Sequence, residues 1–160
     1  MNNPVSAVVV TYNSAANLPA CLESLKRSGV TRIIAVDNAS SDDSVTVANK
    51  HEVIVLPQNE NLGFGQACNI GAASITTPYI LLINPDASLK AGSLKKAVDF
   101  LNNHPRAAIV GLCLLSATGE LEPASFGPPV TLWSLMARHG QGAINNAREP
   151  SLCGWVSGGA

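Results

Sequence analysis

Five apolar residues, Tyr79 to Ile83, run straight into Asn84-Pro85-Asp86. An uninterrupted apolar run of strand length reads as a strand buried on both faces, as in a parallel sheet covered by helices. Pro85 ends the ladder because it has no N–H to donate. Asn84 and Asp86 lie two positions apart, so in an extended chain their side chains point the same way. A polar pair at the carboxyl end of a buried strand is where open α/β sheets bind ligands. The oxygens of that pair suit a hard cation that phosphates also hold.

The rest of the chain supplies neighbours for such a strand. Val5 to Thr11 is β-branched and apolar and predicts a first strand. Leu18, Cys21, Leu22 and Leu25 then recur at helical spacing, with Asn17 as N-cap and Gly29 as the stop. Arg32 to Val36 predicts a second strand, and the polar run from Asp37 a loop. Ser41 or Asp42 caps a short helix ending near Lys50. Val53 to Leu56 predicts a third strand, Gln66 to Ser74 a helix of small residues, and Gly92 to Asn103 another helix. Ala107 to Leu115 reads as a further strand, and Ala117-Thr118-Gly119 as its turn. Leu132 to Ala137 reads as a short helix and Gly140 to Pro150 as a loop. Alternation of this kind predicts an α/β fold, a mainly parallel sheet with helices on both faces.

Composition excludes several classes. The 160 residues are 46% hydrophobic and 13% charged, which fits a globular chain with one substantial core. A net charge of −1 gives no reason to propose nucleic acid as a partner, and 4% aromatic content argues against stacking platforms for single strands. Cys21, Cys68, Cys113 and Cys153 are far apart and form no zinc pattern, so they read as buried thiols in a reducing cytoplasm. Met1-Asn2-Asn3-Pro4 lacks the basic start of a signal peptide. Ala107 to Leu115, the longest mostly apolar stretch, is too short to span a bilayer. Truncation of a sheet would leave apolar surface, which makes a homo-oligomer an open expectation.

Asp37 ends the second strand at the rim where a base or ribose would lie. Its alternative is to cap the next helix, a job that Ser41 and Asp42 already fill. Thr11, Tyr12 and Asn13 end the first strand, as a ligand rim or an ordinary turn. Gly63-Phe64-Gly65 is not a dinucleotide fingerprint: Cys68 stands where the third glycine belongs, and the loop follows the third strand. It borders a ligand or forms a tight turn before a helix. His51, His104 and His139 show no metal or triad spacing and read as surface residues. Glu120 and Glu122 read as solvated loop acids.

Five motifs in order resemble the N-terminal half of family 2 glycosyltransferases, nearest the rhamnosyltransferase-like branch. They are Val8-Val9-Val10-Thr11-Tyr12-Asn13, Val36-Asp37-Asn38-Ala39-Ser40, Asn61-Leu62-Gly63-Phe64-Gly65 with Asn69-Ile70-Gly71, Asn84-Pro85-Asp86, and Val156-Ser157-Gly158-Gly159-Ala160. The resemblance implies a GT-A nucleotide-diphospho-sugar fold over residues 1–160, with the acceptor and catalytic-base part missing. It implies inverting transfer of a sugar from a UDP- or dTDP-linked donor to a saccharide or lipid-linked acceptor, in cell-surface polysaccharide synthesis. The implied donor-binding residues are Thr11, Tyr12, Asn13, Asp37, Asn38, Asn61, Gly63, Asn69, Asn84 and Asp86. Asp86 would also hold a divalent cation, Mg²⁺ or Mn²⁺, and Ser157 and Gly158 would lie on the acceptor side. The family's metal motif is Asp-x-Asp, and Asn84 removes one of its charges. Its general base is expected beyond Ala160, so this chain is expected to bind nucleotide weakly and transfer little sugar. The implied location is cytoplasmic, at most peripheral to the inner face of the membrane.

Three other readings compete. A sugar-phosphate nucleotidyltransferase needs a glycine- and arginine-rich loop after the first strand, where Thr11-Tyr12-Asn13-Ser14 stands. A nicotinamide oxidoreductase needs the glycine loop after the first strand. An inactive nucleotide-binding or scaffold module would bind without metal dependence.

Overall fold

The computed structural model describes residues 4–116 and 118–122, with the backbone at 126–127 and 155–156. It divides into two units, one up to Val98 and one from Asp99.

The first unit is a parallel sheet of four strands in the order β3-β2-β1-β4. The strands are β1 (Val5–Thr11), β2 (Arg32–Asp37), β3 (Ile54–Pro57) and β4 (Tyr79–Ile83). The helices are α1 (Leu18–Arg27), α2 (Ser44–Lys50), α3 (Phe64–Ala72) and α4 (Ser93–Asn103). All seven residues of β1 are buried, as are five of six in β2, so these are the central strands. Their β-branched side chains fill both faces. On one face Val5, Ala7, Val9, Ile33 and Ala35 pack with Leu18, Leu22 and Leu25 of α1, Ala48 of α2 and Leu94 of α4. On the other face Val8, Val10, Ile34 and Val36 pack with Ala67 and Cys68 of α3. Helices thus cover both faces, as the alternation predicts.

Strand β4 differs from the expectation of burial on both faces. Ile80 and Leu82 are 44% and 46% exposed, while Ile83 is buried. The register explains this. Leu82 pairs with Val8, so it shares the face that α3 covers. Among the described residues that face carries one helix, seated over β1 and β2, and β4 is an outer strand of the four.

Two expected caps also differ. Asn17 stands at the N-cap of α1, but its side chain caps no N–H. In α2 the N-cap position is Asp43, and the carboxylate that receives the Ser44 N–H is that of Asp42, at 3.0 Å.

In the second unit, Phe100 and His104 stack with ring centroids 4.0 Å apart. The strand expected over Ala107 to Leu115 does not form. Ile109 is 79% exposed, and the one bridge of the segment among the described residues is antiparallel, Leu115 with Leu121, beside the Glu122 N–H on the Leu114 carbonyl. The turn expected there is present, with the Gly119 N–H on the Ser116 carbonyl. Phe126–Gly127 (β5) and Trp155–Val156 (β6) pair antiparallel. The helix expected over Leu132 to Ala137 and the loop over Gly140 to Pro150 lie outside the described residues. Among the described residues no helix is long and apolar enough to cross a membrane.

Candidate active site

The chain winds from β1 outward through β2 to β3, then returns to lay β4 on the other side of β1. Strand order therefore reverses between β1 and β4, and the crevice at the carboxyl ends there is where doubly wound sheets hold ligands. Thr11, Asp37 and the Asn84–Asp86 turn all leave the sheet at this end.

Loops after β1 and β2 form one rim. The Thr11 hydroxyl donates to Asp37 Oδ1 at 2.8 Å, and the Ser40 N–H donates to Asp37 Oδ2 at 3.0 Å. The Ser40 hydroxyl also donates to Asp37 Oδ1. Asn13 N–H donates to Ser40 Oγ at 3.0 Å, and Asn13 Oδ1 accepts the Ser41 N–H at 2.8 Å. Farther along, Ser14 N–H reaches Ser44 Oγ and Ala15 N–H reaches Asp42 Oδ2. The Ser44 hydroxyl and the Ala15 amide hold the Asp42 carboxyl below its ordinary value, because they stabilise its charged form. Asn13 and Ala39 sit at φ 51 and 62, left-handed conformations that shape this rim.

Asp37 is 3% exposed, with its carboxylate engaged inside the protein. Asn38 beside it is 2% exposed, and its Oδ1 is buried with no hydrogen-bond partner. An orphaned buried acceptor costs free energy and calls for an explanation such as an absent ligand or water. Tyr12, 52% exposed, stands at the rim with its ring in solvent.

Beyond β4, Ala87 N–H donates to the Asn84 carbonyl at 3.2 Å, closing a turn with Pro85 and Asp86 at its centre. Asp86 is exposed and Asn84 half-buried. Neighbouring strands lie about 4.8 Å apart, so β2 and β4 are separated by about 10 Å across β1.

Other expected site residues lie after β3. Asn61 Oδ1 accepts the Gly63 N–H at 2.9 Å, and Gly63, at φ 78, opens α3 as its N-cap. A positive φ there explains the glycine. Asn69 is exposed on α3. A hydrogen bond thus joins Thr11 to Asp37 directly and Asn13 reaches Asp37 through Ser40, while Asn61 and Gly63 hold a separate turn. Ser157 and Gly158 lie outside the described residues.

Sequence reasoning missed Ser40, Ser44 and Asp42 as the lacing of the rim. Their signal was an unusual density of short hydrogen-bonding side chains between Asp37 and Ser44. It also missed what lies beneath the Asp86 turn. Cys21 is fully buried, and its thiol donates to the Asn84 carbonyl at 3.5 Å. Burial and the nearby Asp86 carboxylate push that thiol up to about 12. Cys68 is also buried, whereas Cys113 is exposed, contrary to the expectation of buried thiols throughout. Cys153 lies outside the described residues.

Among the described residues no three of His, Cys, Asp or Glu gather around a common point. Mg²⁺-type ions are commonly held by one or two carboxylates, water and substrate phosphates. One exposed carboxylate on a closed turn fits that mode.

The family model for Glycosyl transferase family 2 matches residues 6–127, which contain every element of this rim. The chain belongs to that family. An uncharacterised glycosyltransferase of Mycobacterium tuberculosis is 34% identical over 146 residues, covering 84% of this chain and 61% of the relative. A PGL/p-HBAD biosynthesis glycosyltransferase of the same species is 30% identical over 122 residues, covering 71% of this chain and 48% of the relative. The chain therefore spans about half to three-fifths of the length of these family 2 relatives. S. aureus TarS, in a structure of its residues 1–349, superposes with a TM-score of 0.61 at 24% identity. That superposition covers 80% of this chain and 42% of the TarS 1–349 chain. The shared feature is the fold, which is of the GT-A type.

Proposed function

We propose that this unit is the donor-binding half of a glycosyltransferase that uses a nucleoside diphosphate sugar, with uridine or deoxythymidine as the nucleoside. The acceptor is a saccharide or lipid-linked hydroxyl in a cell-surface glycan, in line with the biosynthetic relatives, and a deoxyhexose such as rhamnose suits the motif resemblance. The observation that carries the reading is the pairing of an exposed Asp86 off β4 with the orphaned Asn38 Oδ1 at the end of β2. They follow strands about 10 Å apart on either side of β1, a span that a nucleoside diphosphate can bridge.

In this reading the rim formed by Tyr12, Asn13 and Asn38 receives the nucleoside. Asn38 Oδ1 accepts an N–H or O–H from it, which removes the cost of the unpaired oxygen. Asp86 and Asn84 hold a Mg²⁺ or Mn²⁺ ion on the diphosphate side. A bound cation supplies positive charge against the leaving diphosphate as the sugar bond breaks. Asp37 acts through the rim it holds in shape. Inversion in a single displacement requires a general base at the acceptor hydroxyl, a role separate from the donor-side residues named here.

Calorimetric titration of UDP and dTDP, with and without Mn²⁺, on the wild type and on Asp86→Ala tests the reading. Mn²⁺-dependent binding that Asp86→Ala abolishes supports it. Nucleotide binding indifferent to Mn²⁺ moves the chain to a binding or scaffold module. A folded wild type that binds neither nucleotide refutes the donor site.

A further inference from the structure

The turn that carries Asp86 is fastened at both ends to one helix. At its start, the Asn84 carbonyl accepts the Cys21 thiol at 3.5 Å. At its end, the Leu89 N–H donates to Ser24 Oγ at 3.0 Å. Cys21 and Ser24 are three residues apart in α1 and so lie on one face. They are also tied to each other, since the Ser24 hydroxyl donates to the Cys21 carbonyl at 2.7 Å. Both are almost fully buried, at 0% and 1% exposure, whereas Asp86 between the two anchor points is exposed.

We propose that Cys21 and Ser24 are positioning residues that hold the Asn84–Leu89 segment so that Asp86 meets the cation of a bound nucleoside diphosphate. This rests on the donor-site reading above. Ser24 is the stronger anchor. It satisfies a backbone N–H outside any helix or strand, while its own proton is already committed to α1. A thiol is a weak donor, and Cys21 contributes chiefly by filling the space beneath Asn84. With Pro85 fixing one backbone angle and the Ala87 N–H closing the turn, the fastened ends leave the carboxylate little freedom. A single carboxylate that shares a cation with phosphates depends on such placement, because no second protein carboxylate corrects an error in its position.

The test is calorimetry of UDP and dTDP with and without Mn²⁺ on the wild type, Asp86→Ala, Ser24→Ala, Cys21→Ala and Cys21→Ser. Hydrogen exchange of the Leu89 amide is followed in parallel. Ser24→Ala should lose about tenfold of the affinity that Mn²⁺ adds, keep the Mn²⁺-free affinity, and speed exchange at Leu89. Cys21→Ala should lose a smaller part of the Mn²⁺ gain, and Cys21→Ser, which restores a donor, should recover it. Loss that is equal with and without Mn²⁺ indicates general destabilisation and overturns the positioning role. So does a full Mn²⁺ gain in both alanine variants that Asp86→Ala abolishes, and that outcome leaves the donor site standing. A wild type without any Mn²⁺ gain removes the donor-site reading and the positioning role with it. The two alanine variants probe opposite ends of the turn, so misfolding of one leaves the other decisive.

Discussion

The Thr11 hydroxyl donates to Asp37 Oδ1 at 2.8 Å, tying the last residue of β1 to the last residue of β2. The bond is buried and forms the inner corner of the rim, with Ser40 on the other side of the same carboxylate. Thr11→Val should cost about 1 kcal/mol, the loss of one intramolecular bond to a charged acceptor partly offset by easier burial of the methyl. Asp37→Ala should cost about 3 kcal/mol, because it leaves the Thr11 hydroxyl only the Val36 carbonyl at 3.5 Å and strands the Ser40 N–H. Urea unfolding without nucleotide gives both values. Equal effects of the two variants would contradict a hub role for Asp37.

At Gly71, α3 lies close against the sheet. A Cβ there would stand 2.5 Å from Val8 Cγ1 and 3.0 Å from Val36 Cγ2. Gly71→Ala should therefore destabilise by about 2 kcal/mol despite the better helix propensity of alanine. Adding Val8→Ala should recover part of the loss, and a double-mutant cycle in urea measures the coupling. Simple additivity would show that α3 shifts away instead.

Thiol reactivity should separate the cysteines. Cys113 is exposed, whereas Cys21 is fully buried with its thiol pushed up to about 12 by burial and the Asp86 carboxylate. The thiolate is the reacting species. At pH 8 an aromatic disulfide reagent should modify Cys113 at once and Cys21 only on unfolding, as read by peptide mass mapping. Rapid native labelling of Cys21 would mean that α1 opens locally from the Asp86 turn.

Most of the fold could be read in advance because periodicity is a local signal. The apolar runs of β1 and β2 and the Leu18–Cys21–Leu22–Leu25 face of α1 state their own structure. The exposure of Ile80 and Leu82 could not be read, because a continuous apolar run does not say whether its strand is central or outer. Ala107 to Leu115 failed for a related reason: a strand needs a partner edge along its length, and here the ladder is a single bridge at Leu115, with the Glu122 N–H on the Leu114 carbonyl beside it. In the site, Asp37 and Asp86 could be placed by their positions at strand ends. That Asp37 faces inward while Asp86 is exposed depends on Thr11 and Ser40, contacts made across 26 and three residues of sequence. The anchoring of the Asp86 turn by Cys21 and Ser24 spans more than 60 residues, and no spacing rule reports it.

Acid should weaken the rim through Asp42. Hydrogen bonds from the Ser44 hydroxyl and the Ala15 amide lower its folded-state pKa. A depressed carboxyl pKa adds stability that is complete above the unfolded value and is lost as pH falls through the folded one. Melting temperature should therefore drop from about pH 4 downward. Asp42→Asn should show a lower plateau at neutral pH and a shallower fall in acid. An unchanged acid slope in Asp42→Asn would assign the acid sensitivity to other carboxylates.

Asn84 and Asp86 offer the sharpest test of the proposed cation site. Asp86→Asn keeps the shape of the turn but removes its exposed charge, so Mn²⁺-dependent nucleotide binding should fall by at least about tenfold. Asn84→Asp makes the opposite change, placing a second carboxylate at the start of the same turn. The half-buried position of Asn84 gives that charge less solvent screening than the exposed Asp86 has. Attraction for a divalent ion should rise, and direct Mn²⁺ titration without nucleotide should show binding in Asn84→Asp that is much weaker in the wild type. Mutual repulsion of the two carboxylates should lower stability in the absence of metal and be relieved when Mn²⁺ is added. If Mn²⁺ instead binds Asn84→Asp no better than the wild type, the two side chains do not converge, and the proposed cation would meet Asp86 without help from position 84.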